Sequence, residues 1–367
     1  MPFAEVPAAA VITGMVPRSC LCWCLLALLP ITCSAQTLRQ EADRTGVLLG
    51  AAVNAAYLSE PAYTSILARE FNMVEPEDAT QWSTVHAAEE VFDFTQADRI
   101  VLFARTHGMK VRADTLLWGR HNPAWLTDTH YTPNELSNLL HDHIRRVMSH
   151  YRGQVFAWDV VNEAFDENGH LRHSIWYNQP GIGMAEKGTA FIEQAFRWAH
   201  AEDPQALLFY NDAEDEAANP KSDAIYAMVK DFRKRGVPID GVGLQMHILD
   251  LNPDLNSIAA NIERFTKLGV QIHITEMDVA LPINTKGAVT DPSDLSRQAK
   301  IYGEIASICF RYRGCTALQM WGFTDKYSWI GWFTNKTKGA ALPFDKNYRA
   351  KPAYDALRQA FVAAPNR

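Results

Sequence analysis

Eight apolar segments alternate with amphipathic segments along the chain, and this alternation restricts the possible folds more than any other feature. The apolar segments lie at 45–54, 71–74, 109–118, 154–161, 206–211, 241–247, 270–275 and 316–322. Near-continuous apolar strands separated by helices are typical of a parallel sheet that is covered on both faces. We therefore predict an α/β protein folded as a single (β/α)8 TIM barrel. An open doubly wound sheet is the alternative, although no G-x-G-x-x-G or P-loop pattern follows the first apolar segment.

The amphipathic segments carry helix signals. Residues 132–151 begin with Thr132, Pro133 and Glu135, which predict a capping box with proline at the first helical position. The apolar side chains that follow recur every three or four residues, as they do on one face of a helix. Residues 291–310 repeat this pattern, and we predict a second long helix there.

The size of the chain indicates the number of domains, and its charge restricts the kind of molecule that it can bind. The chain has 367 residues, of which 47% are hydrophobic and 21% charged, and this is enough apolar material for one barrel core. No low-complexity linker or repeat divides the chain after its N-terminal region, so we predict one domain over 36–367. A net charge of −7 without a basic run argues against a nucleic-acid partner and favours a neutral polymer or a small molecule.

The N-terminal region, residues 1–35, predicts a secretory signal peptide. From Met15 onward, Arg18 precedes an apolar stretch and then small residues, with cleavage expected after Ala35. Met15 is a candidate for the true start, because the residues before it carry no targeting pattern. A membrane anchor is the alternative, but the stretch is shorter than the roughly 20 residues that span a bilayer. We therefore expect a secreted or periplasmic protein with no membrane partner after signal removal.

Cysteine usage agrees with export. Four of the six cysteines lie in the predicted signal peptide, and only Cys309 and Cys315 remain in the mature chain. In an oxidising compartment a short disulfide loop is expected between them. Two free buried thiols are the alternative.

Polar and aromatic residues follow the predicted strands, at the end of such barrels where catalytic groups project. They are Asp114 and Trp118 in the third segment, Asn162 and Glu163 after the fourth, Asn211 and Asp212 at the fifth, Gln245 and His247 at the sixth, Glu276 and Asp278 after the seventh, and Trp321 and Trp329 at and beyond the eighth. Any one of them is explained by a helix cap, a salt bridge or packing. Together they place Glu163 and Glu276 across one opening.

Two facing carboxyl groups are what glycoside hydrolysis requires. One must be protonated so that it can give a proton to the leaving oxygen, and the other must be ionised so that it can attack the anomeric carbon. Flat tryptophan faces stack on sugar rings, and the 10 tryptophans of the chain favour a carbohydrate groove.

Several motifs occur in an order and spacing that resemble a known family. They are FNMVEPED, RADTLLWGRHNPAWL, WDVVNEA, LLFYND, GVPIDGVGLQMH, ITEMDV and WGFTDKYSW. The chain resembles glycoside hydrolase family 10, the endo-β-1,4-xylanase family, over essentially all of the mature chain. This resemblance implies cleavage of internal β-1,4-xylosidic bonds by a retaining double displacement, on a polysaccharide or oligosaccharide substrate. It implies no metal and no organic cofactor, and we expect a monomer.

The resemblance also implies roles for individual residues. Glu163 matches the acid/base, Glu276 the nucleophile, and Asn162 the amide that hydrogen-bonds the 2-hydroxyl of the reacting sugar. His247 matches the histidine that holds the nucleophile, with Asp278 behind it. The residues at the sugar-binding positions are Glu77, Asp78, Gln81, Asp114, Trp118, Gln245, Trp321 and Trp329. The pair Cys309 and Cys315 matches the short disulfide of the family.

Several positions depart from the family pattern, among them Ala213, which stands where a tyrosine usually follows LLFYND. Gln81 and Asp78 stand where a lysine and an asparagine usually bind sugars on the glycone side, and Asp114 and Gly119 stand at two histidine positions. Each lost charged hydrogen bond to a sugar costs about 1.5–3 kcal/mol. One hypothesis is therefore a remodelled glycone site that acts on a non-xylan β-glycoside. The alternative is a normal xylanase in which neighbouring loops compensate.

Two other classes of function compete with a retaining glycosidase. A weakly active carbohydrate-binding barrel would not need both Glu163 and Glu276. A metal-dependent barrel hydrolase could use His247, Asp114 and Glu276, but the first strand lacks the H-x-H pattern that such enzymes carry.

Overall fold

Strands form at all eight apolar segments and pair in a closed ring. The computed structural model describes residues 36–367, so the predicted signal peptide, its cleavage after Ala35 and the start at Met15 lie outside the described residues. The strands are β1 Leu48–Val53, β2 Met73–Pro76, β3 Lys110–Trp118, β4 Ala157–Asn162, β5 Leu207–Asp212, β6 Gly241–Leu244, β7 His247–Ile248, β8 Gln271–Val279, β9 Leu281–Pro282, β10 Cys315–Met320 and β11 Lys338–Gly339.

The barrel contains β1 to β6, β8 and β10, all paired in parallel. Neighbours follow chain order, and β10 pairs with both β8 and β1, which leaves no open edge. The prediction of a (β/α)8 barrel is confirmed, and the open doubly wound sheet is excluded. The short strands lie outside the ring: β7 pairs with β8, and β9 pairs with β11 as an antiparallel ribbon.

Helices cover the outside of the barrel. The α-helices are α1 Leu38–Thr45, α2 Pro61–Glu70, α3 Trp82–Val85, α4 Thr95–Thr106, α5 Ala124–Thr127, α6 Pro133–Tyr151, α7 Ala190–Glu202, α8 Pro220–Arg235, α9 Leu255–Lys267, α10 Asp294–Arg311, α11 Ile330–Phe333 and α12 Pro352–Ala363, with 3₁₀ turns at Ala55–Ser59 and Ala185–Lys187. The predicted capping box is present, with Thr132 as the N-cap of α6 and Glu135 completing it.

The barrel interior is polar and aromatic at its centre. Arg112 of β3 forms ion pairs with Glu75 of β2, at 2.6 Å, and with Asp159 of β4. None of these three side chains is exposed. The guanidinium also lies 5.6 Å from the ring centre of Phe209. Phe209 fits because β6 has Gly241 beside it, where an added Cβ would lie 2.0 Å from the ring.

The seventh barrel strand extends further than its apolar segment. The segment was predicted to end at residue 275, whereas β8 continues to Val279 and includes Glu276 and Asp278. The extension is stabilised by β7, because His247 pairs in register with Asp278. Since alternate residues of a strand point to the same face, Glu276 and Asp278 share one face.

The predicted disulfide is present. Cys309 and Cys315 form a disulfide that ties the end of α10 to the start of β10, as expected, with a Cα–Cα distance of 5.2 Å. Among residues 36–367, no helix is both long and apolar enough to span a bilayer.

Candidate active site

Glu163 lies directly after β4, and its backbone is held from two sides. It adopts a left-handed conformation with φ of 52°. Its N–H donates to the carbonyl of Asn211 at 3.0 Å, and the N–H of Ala164 donates to the hydroxyl of Tyr210 at 2.9 Å. Non-glycine residues rarely adopt this conformation, and surrounding contacts must hold them in it. Such contacts are present here and fix the direction in which the Glu163 side chain leaves the strand.

A buried network behind Tyr210 supports this arrangement. The Tyr210 hydroxyl donates to Asp212 Oδ2 at 2.6 Å, and Asp212 forms an ion pair with Lys221 at 2.8 Å. Burial raises the pKa of Asp212 to about 6, although Lys221 counteracts the effect. The anchor of Tyr210 is therefore a buried ion pair, and removal of either partner would leave the other buried without compensation.

A chain of side-chain amides connects Glu163 with Glu276. Gln245 Nε2 donates to Glu163 Oε1 at 3.2 Å and to Asn162 Oδ1 at 3.3 Å. Asn211 Nδ2 donates to Asn162 Oδ1 at 3.2 Å and to Glu276 Oε1 at 2.9 Å. Both carboxyl groups therefore belong to one network, and the side chains that join them come from β4, from β5 and from the residue after β6.

The orientation of Asn211 is fixed by its other neighbours. Thr275 Oγ1 donates to Asn211 Oδ1 at 2.8 Å, which leaves Nδ2 to face Glu276. Gly243 of β6 provides the space, because an added Cβ there would lie 2.2 Å from Asn211 Oδ1. A larger residue at this position would displace the amide that joins the two glutamates.

The second oxygen of Glu276 contacts a histidine. Glu276 Oε2 lies 3.1 Å from His247 Nε2, and His247 Nδ1 lies 3.1 Å from Asp278 Oδ2. Trp329 Nε1 donates to the same Asp278 oxygen at 2.8 Å. Burial would lower the pKa of His247, but the charge of Asp278 and hydrogen bonds to both carboxylates raise it well above 6.5. The two neighbouring carboxylates therefore favour the positively charged form of the imidazole.

Gln81 and Asp114, two of the residues that depart from the family pattern at positions predicted for sugar binding, contact each other. Gln81 Nε2 donates to Asp114 Oδ2 at 3.0 Å, and both side chains are buried. Burial raises the pKa of Asp114 well above 3.8, and the nearby Asp159, Glu75 and Glu276 raise it further. Burial and these neighbouring carboxyls therefore both favour the neutral form of Asp114. The pair Gln81 and Asp114 is joined by a side-chain hydrogen bond, and neither residue is a cation.

Glu77 and Asp78 lie next to this pair along the chain and are partly buried. Burial and the neighbouring Asp78 raise the pKa of Glu77 to about 7, while a hydrogen bond with Asn54 opposes the shift. Burial also raises the pKa of Asp78. Both carboxyls thus gain charge only at a higher pH than a solvated carboxyl would.

The raised pKa of Glu77 predicts a pH-dependent loss of stability. Because the folded-state value exceeds the unfolded value of 4.5, this contribution is fully present below pH 4.5 and is lost as the pH rises through about 7. Glu77→Gln should remove roughly 1–3 kcal/mol of the stability difference between pH 5 and pH 8. Denaturant unfolding at pH 5 and at pH 8 measures this stability difference. Glu304→Gln, on α10, is the control. An unchanged pH dependence in Glu77→Gln would contradict the assignment.

A cavity of about 630 Å³ opens beside Glu163. Its lining includes Asn162 and Trp118, and the Trp118 ring stacks on His121 with 4.7 Å between ring centres. There is little room for a side chain at position 119, next to Trp118, because a Cβ added to Gly119 would lie 3.2 Å from Ser174. The structure therefore places Trp118 beside Glu163.

The other predicted site residues lie outside this cavity lining. Gln245 donates to Glu163 and Trp329 donates to Asp278, whereas Trp321 directly follows β10 and is partly buried. The lining does not include Trp321 or the glycone-side residues. Within residues 36–367, no group of three or more His, Cys, Asp or Glu side chains has the arrangement of a metal site.

Comparison with known proteins identifies the family. The model for glycosyl hydrolase family 10 matches residues 37–360. The chain belongs to this family. It is a glycoside hydrolase that is 42% identical over 325 residues to endo-1,4-beta-xylanase B of Thermotoga neapolitana, an alignment that covers 88% of this chain and 90% of the relative. It is 38% identical to a beta-1,4-xylanase of Dictyoglomus thermophilum, with 83% and 86% covered.

Solved structures agree with the family 10 fold. Native xylanase 10B from Thermotoga maritima superposes with a TM-score of 0.83 at 41% identity, over 89% of this chain and 98% of the other. Xylanase 10B from Thermotoga petrophila RKU-1, in complex with xylobiose, gives a TM-score of 0.83 at 41% identity, over 89% and 97%.

Two residues that organise this family 10 site had no role predicted from the sequence. Asn211 was noted only as a polar strand end, and Tyr210 was not singled out, yet they contact Glu276 and the backbone after Glu163. Both belong to the motif LLFYND, so their positions next to the site could be read from the sequence. Their hydrogen-bond partners could not, because these come from distant segments.

Proposed function

We propose that this family 10 enzyme is a secreted, retaining endo-β-1,4-xylanase that acts by double displacement. The observation that carries the proposal is the single hydrogen-bond network that holds Glu163 and Glu276, two carboxyls from different barrel strands. A retaining mechanism needs one carboxyl to attack the sugar and another to protonate the leaving oxygen.

In this proposal Glu276 is the nucleophile. Asn211 donates to one of its oxygens and the His247 ring nitrogen contacts the other, so both carboxylate oxygens are held in a fixed orientation. The carboxylate attacks the anomeric carbon and forms a glycosyl ester as the bond to the leaving oxygen breaks. Asp278 keeps His247 oriented and charged during this step.

Glu163 acts first as the acid and then as the base. It borders the cavity, where its proton can reach the leaving oxygen, and it later takes a proton from the water that hydrolyses the ester. Asn162 supports the reacting sugar. Its Oδ1 already accepts from Gln245 and Asn211, so its Nδ2 is oriented toward a ligand hydroxyl such as the 2-hydroxyl.

Xylan is proposed as the substrate because of the relatives. The similar proteins from Thermotoga neapolitana and Dictyoglomus thermophilum are named xylanases, and the Thermotoga petrophila structure holds xylobiose. The predicted signal peptide, residues 1–35, supports export to the periplasm or the medium, with 36–367 as the mature catalytic domain. We propose that the mature enzyme acts as a monomer.

One observation favours a second candidate, which is a family 10 glycosidase with an altered glycone preference. Gln81 donates to Asp114 and is therefore turned toward a neighbouring side chain. The uncharged amide of Gln81 offers sugars weaker hydrogen bonds than a cation does, a difference of about 1.5–3 kcal/mol per bond. The expected result is weaker binding of xylose units on the glycone side.

A panel of defined oligosaccharides distinguishes the two candidates. We expect hydrolysis of xylohexaose to internal products with the β configuration retained at first, as followed by NMR and chromatography. If cellohexaose or another β-linked hexaose is cleaved with a higher kcat/KM than xylohexaose, the second candidate is correct. Product of inverted configuration would contradict the double displacement for either substrate.

A further inference from the structure

Two adjacent aromatic side chains are unusually exposed on the loop after β10. Trp332 is 81% exposed and Phe333 is 51% exposed. Among residues 36–367, the other large apolar side chains with comparable exposure are aliphatic and scattered: Val91, Leu102 and Val362. Neighbouring exposed aromatic rings on a soluble protein usually mark a binding surface, because water solvates them poorly.

The backbone that carries the two rings is well anchored. Both residues end the short helix α11, whose first residue, Ile330, is fully buried. Thr334 Oγ1 donates to the carbonyl of Ile330 at 2.7 Å and accepts from the N–H of Lys338 at 3.1 Å. Lys338 in turn pairs with β9. The rings are therefore presented by an ordered framework, which lowers the entropy that a ligand must overcome.

One of the two exposed rings, Phe333, is connected to the active site. Phe333 packs against Trp329 with 4.7 Å between ring centres, and Trp329 contacts His247 at 4.8 Å. Trp329 also donates to Asp278 behind the proposed nucleophile. The aromatic rings of Trp329 and Phe333 thus lead from His247 to the surface, where Trp332 is the next residue before Phe333 in the chain.

We propose that Trp332 and Phe333 form an aromatic platform that binds a β-1,4-linked xylan chain outside the reacting site. The pyranose rings of such a chain present apolar C–H faces, which pack on flat aromatic rings, and the polymer needs no opposite charge on the protein. The proposal rests on the proposed xylanase function and adds a second contact for polymeric substrate. A chain held there has a higher effective concentration at the cleft, so the gain applies only to substrates long enough to reach both places.

The test compares long and short substrates. In a Glu276→Gln background that cannot degrade the polymer, adding Trp332→Ala should weaken adsorption to insoluble xylan about tenfold. In the active enzyme, Trp332→Ala should lower the rate on insoluble xylan while kcat/KM for an aryl β-xylobioside stays within about twofold. Leu102→Ala, an exposed apolar residue on α4, is the matched control and should change neither measurement.

The outcomes separate the platform from its alternatives. Unchanged adsorption of Trp332→Ala, in an enzyme that hydrolyses xylan normally, would overturn the platform alone. An equal loss on the aryl β-xylobioside would also overturn it, because the ring would then act within the reacting site. A concentration-dependent dimer that Trp332→Ala abolishes, measured by sedimentation, would make the surface an interface between two copies. Failure of the unsubstituted enzyme to hydrolyse any xylo-oligosaccharide would overturn the proposed function instead.

Discussion

Glu276→Ala is expected to lower the hydrolysis rate of an aryl β-xylobioside by roughly 10³- to 10⁶-fold, because it removes the carboxylate that we propose as the nucleophile. Glu276 is nearly buried. One of its carboxylate oxygens contacts Asn211 and the other contacts His247. The shorter side chain leaves space next to the anomeric carbon, so azide should restore part of the rate. A matched Glu304→Ala variant on the exposed face of α10 should keep full activity.

The configuration of the azide product tests the two assignments separately. With Glu276→Ala, azide attacks the β-glycoside directly, the bond to the leaving oxygen breaks, and a single inversion gives the α-glycosyl azide. With Glu163→Ala, the glycosyl ester still forms from a substrate with a good leaving group, and azide then opens it to give the β-glycosyl azide. NMR distinguishes the two anomers. If the two variants give the opposite products, the roles of Glu163 and Glu276 are exchanged.

Arg112→Met should be the most destabilising single change in the barrel, at about 3–5 kcal/mol. The guanidinium is fully buried between Glu75 and Asp159, and its loss leaves two carboxyls in a site without solvent. Burial raises the pKa of both carboxyls, and Arg112 counteracts this in each case. Denaturant unfolding measures the loss, with Arg146→Met on the exposed face of α6 as the control.

The pH dependence gives this prediction a second readout. Without Arg112 the two carboxyls must be protonated in the folded state, so their folded pKa values rise further above the unfolded values. The variant should therefore lose stability as the pH rises through and above the unfolded values of 4.5 and 3.8. Adding Glu75→Leu and Asp159→Leu should recover much of the loss, because it removes the groups left without a partner. A loss below about 1 kcal/mol for Arg112→Met would contradict a structural role for this ion-pair group.

Much of the fold could be predicted from local patterns. The eight apolar segments gave the eight barrel strands, and Thr132 and Glu135 gave the start of α6, because hydrophobic period and helix capping depend on residues close in sequence. The strand limits were less accurate. Glu276 and Asp278 lie inside β8, although their polarity marks a strand end, because β7 supplies a pairing partner that no local pattern reveals.

The charge around Gln81 and Asp114, which depart from the family pattern, could not be interpreted correctly from the sequence alone. Read individually, Gln81 removes a cation and Asp114 adds a carboxylate, which suggests a more acidic site. In the folded chain they share a hydrogen bond, and burial raises the pKa of Asp114 and so favours its neutral form. The charge of a carboxyl depends on its solvation, and solvation is a property of the packed structure.

The sequence by itself determined the barrel and the strand ends that carry Glu163 and Glu276, because these follow from periodicity and from residue types at a given spacing. Its motifs also carried the resemblance to the family. Only the tertiary structure decided that Asn211 and Gln245 join the two glutamates, that Gln81 contacts Asp114, and that Trp332 is exposed. Hydrogen bonds and burial depend on distances of a few ångströms between segments far apart in the chain. Those distances are fixed only when the barrel closes.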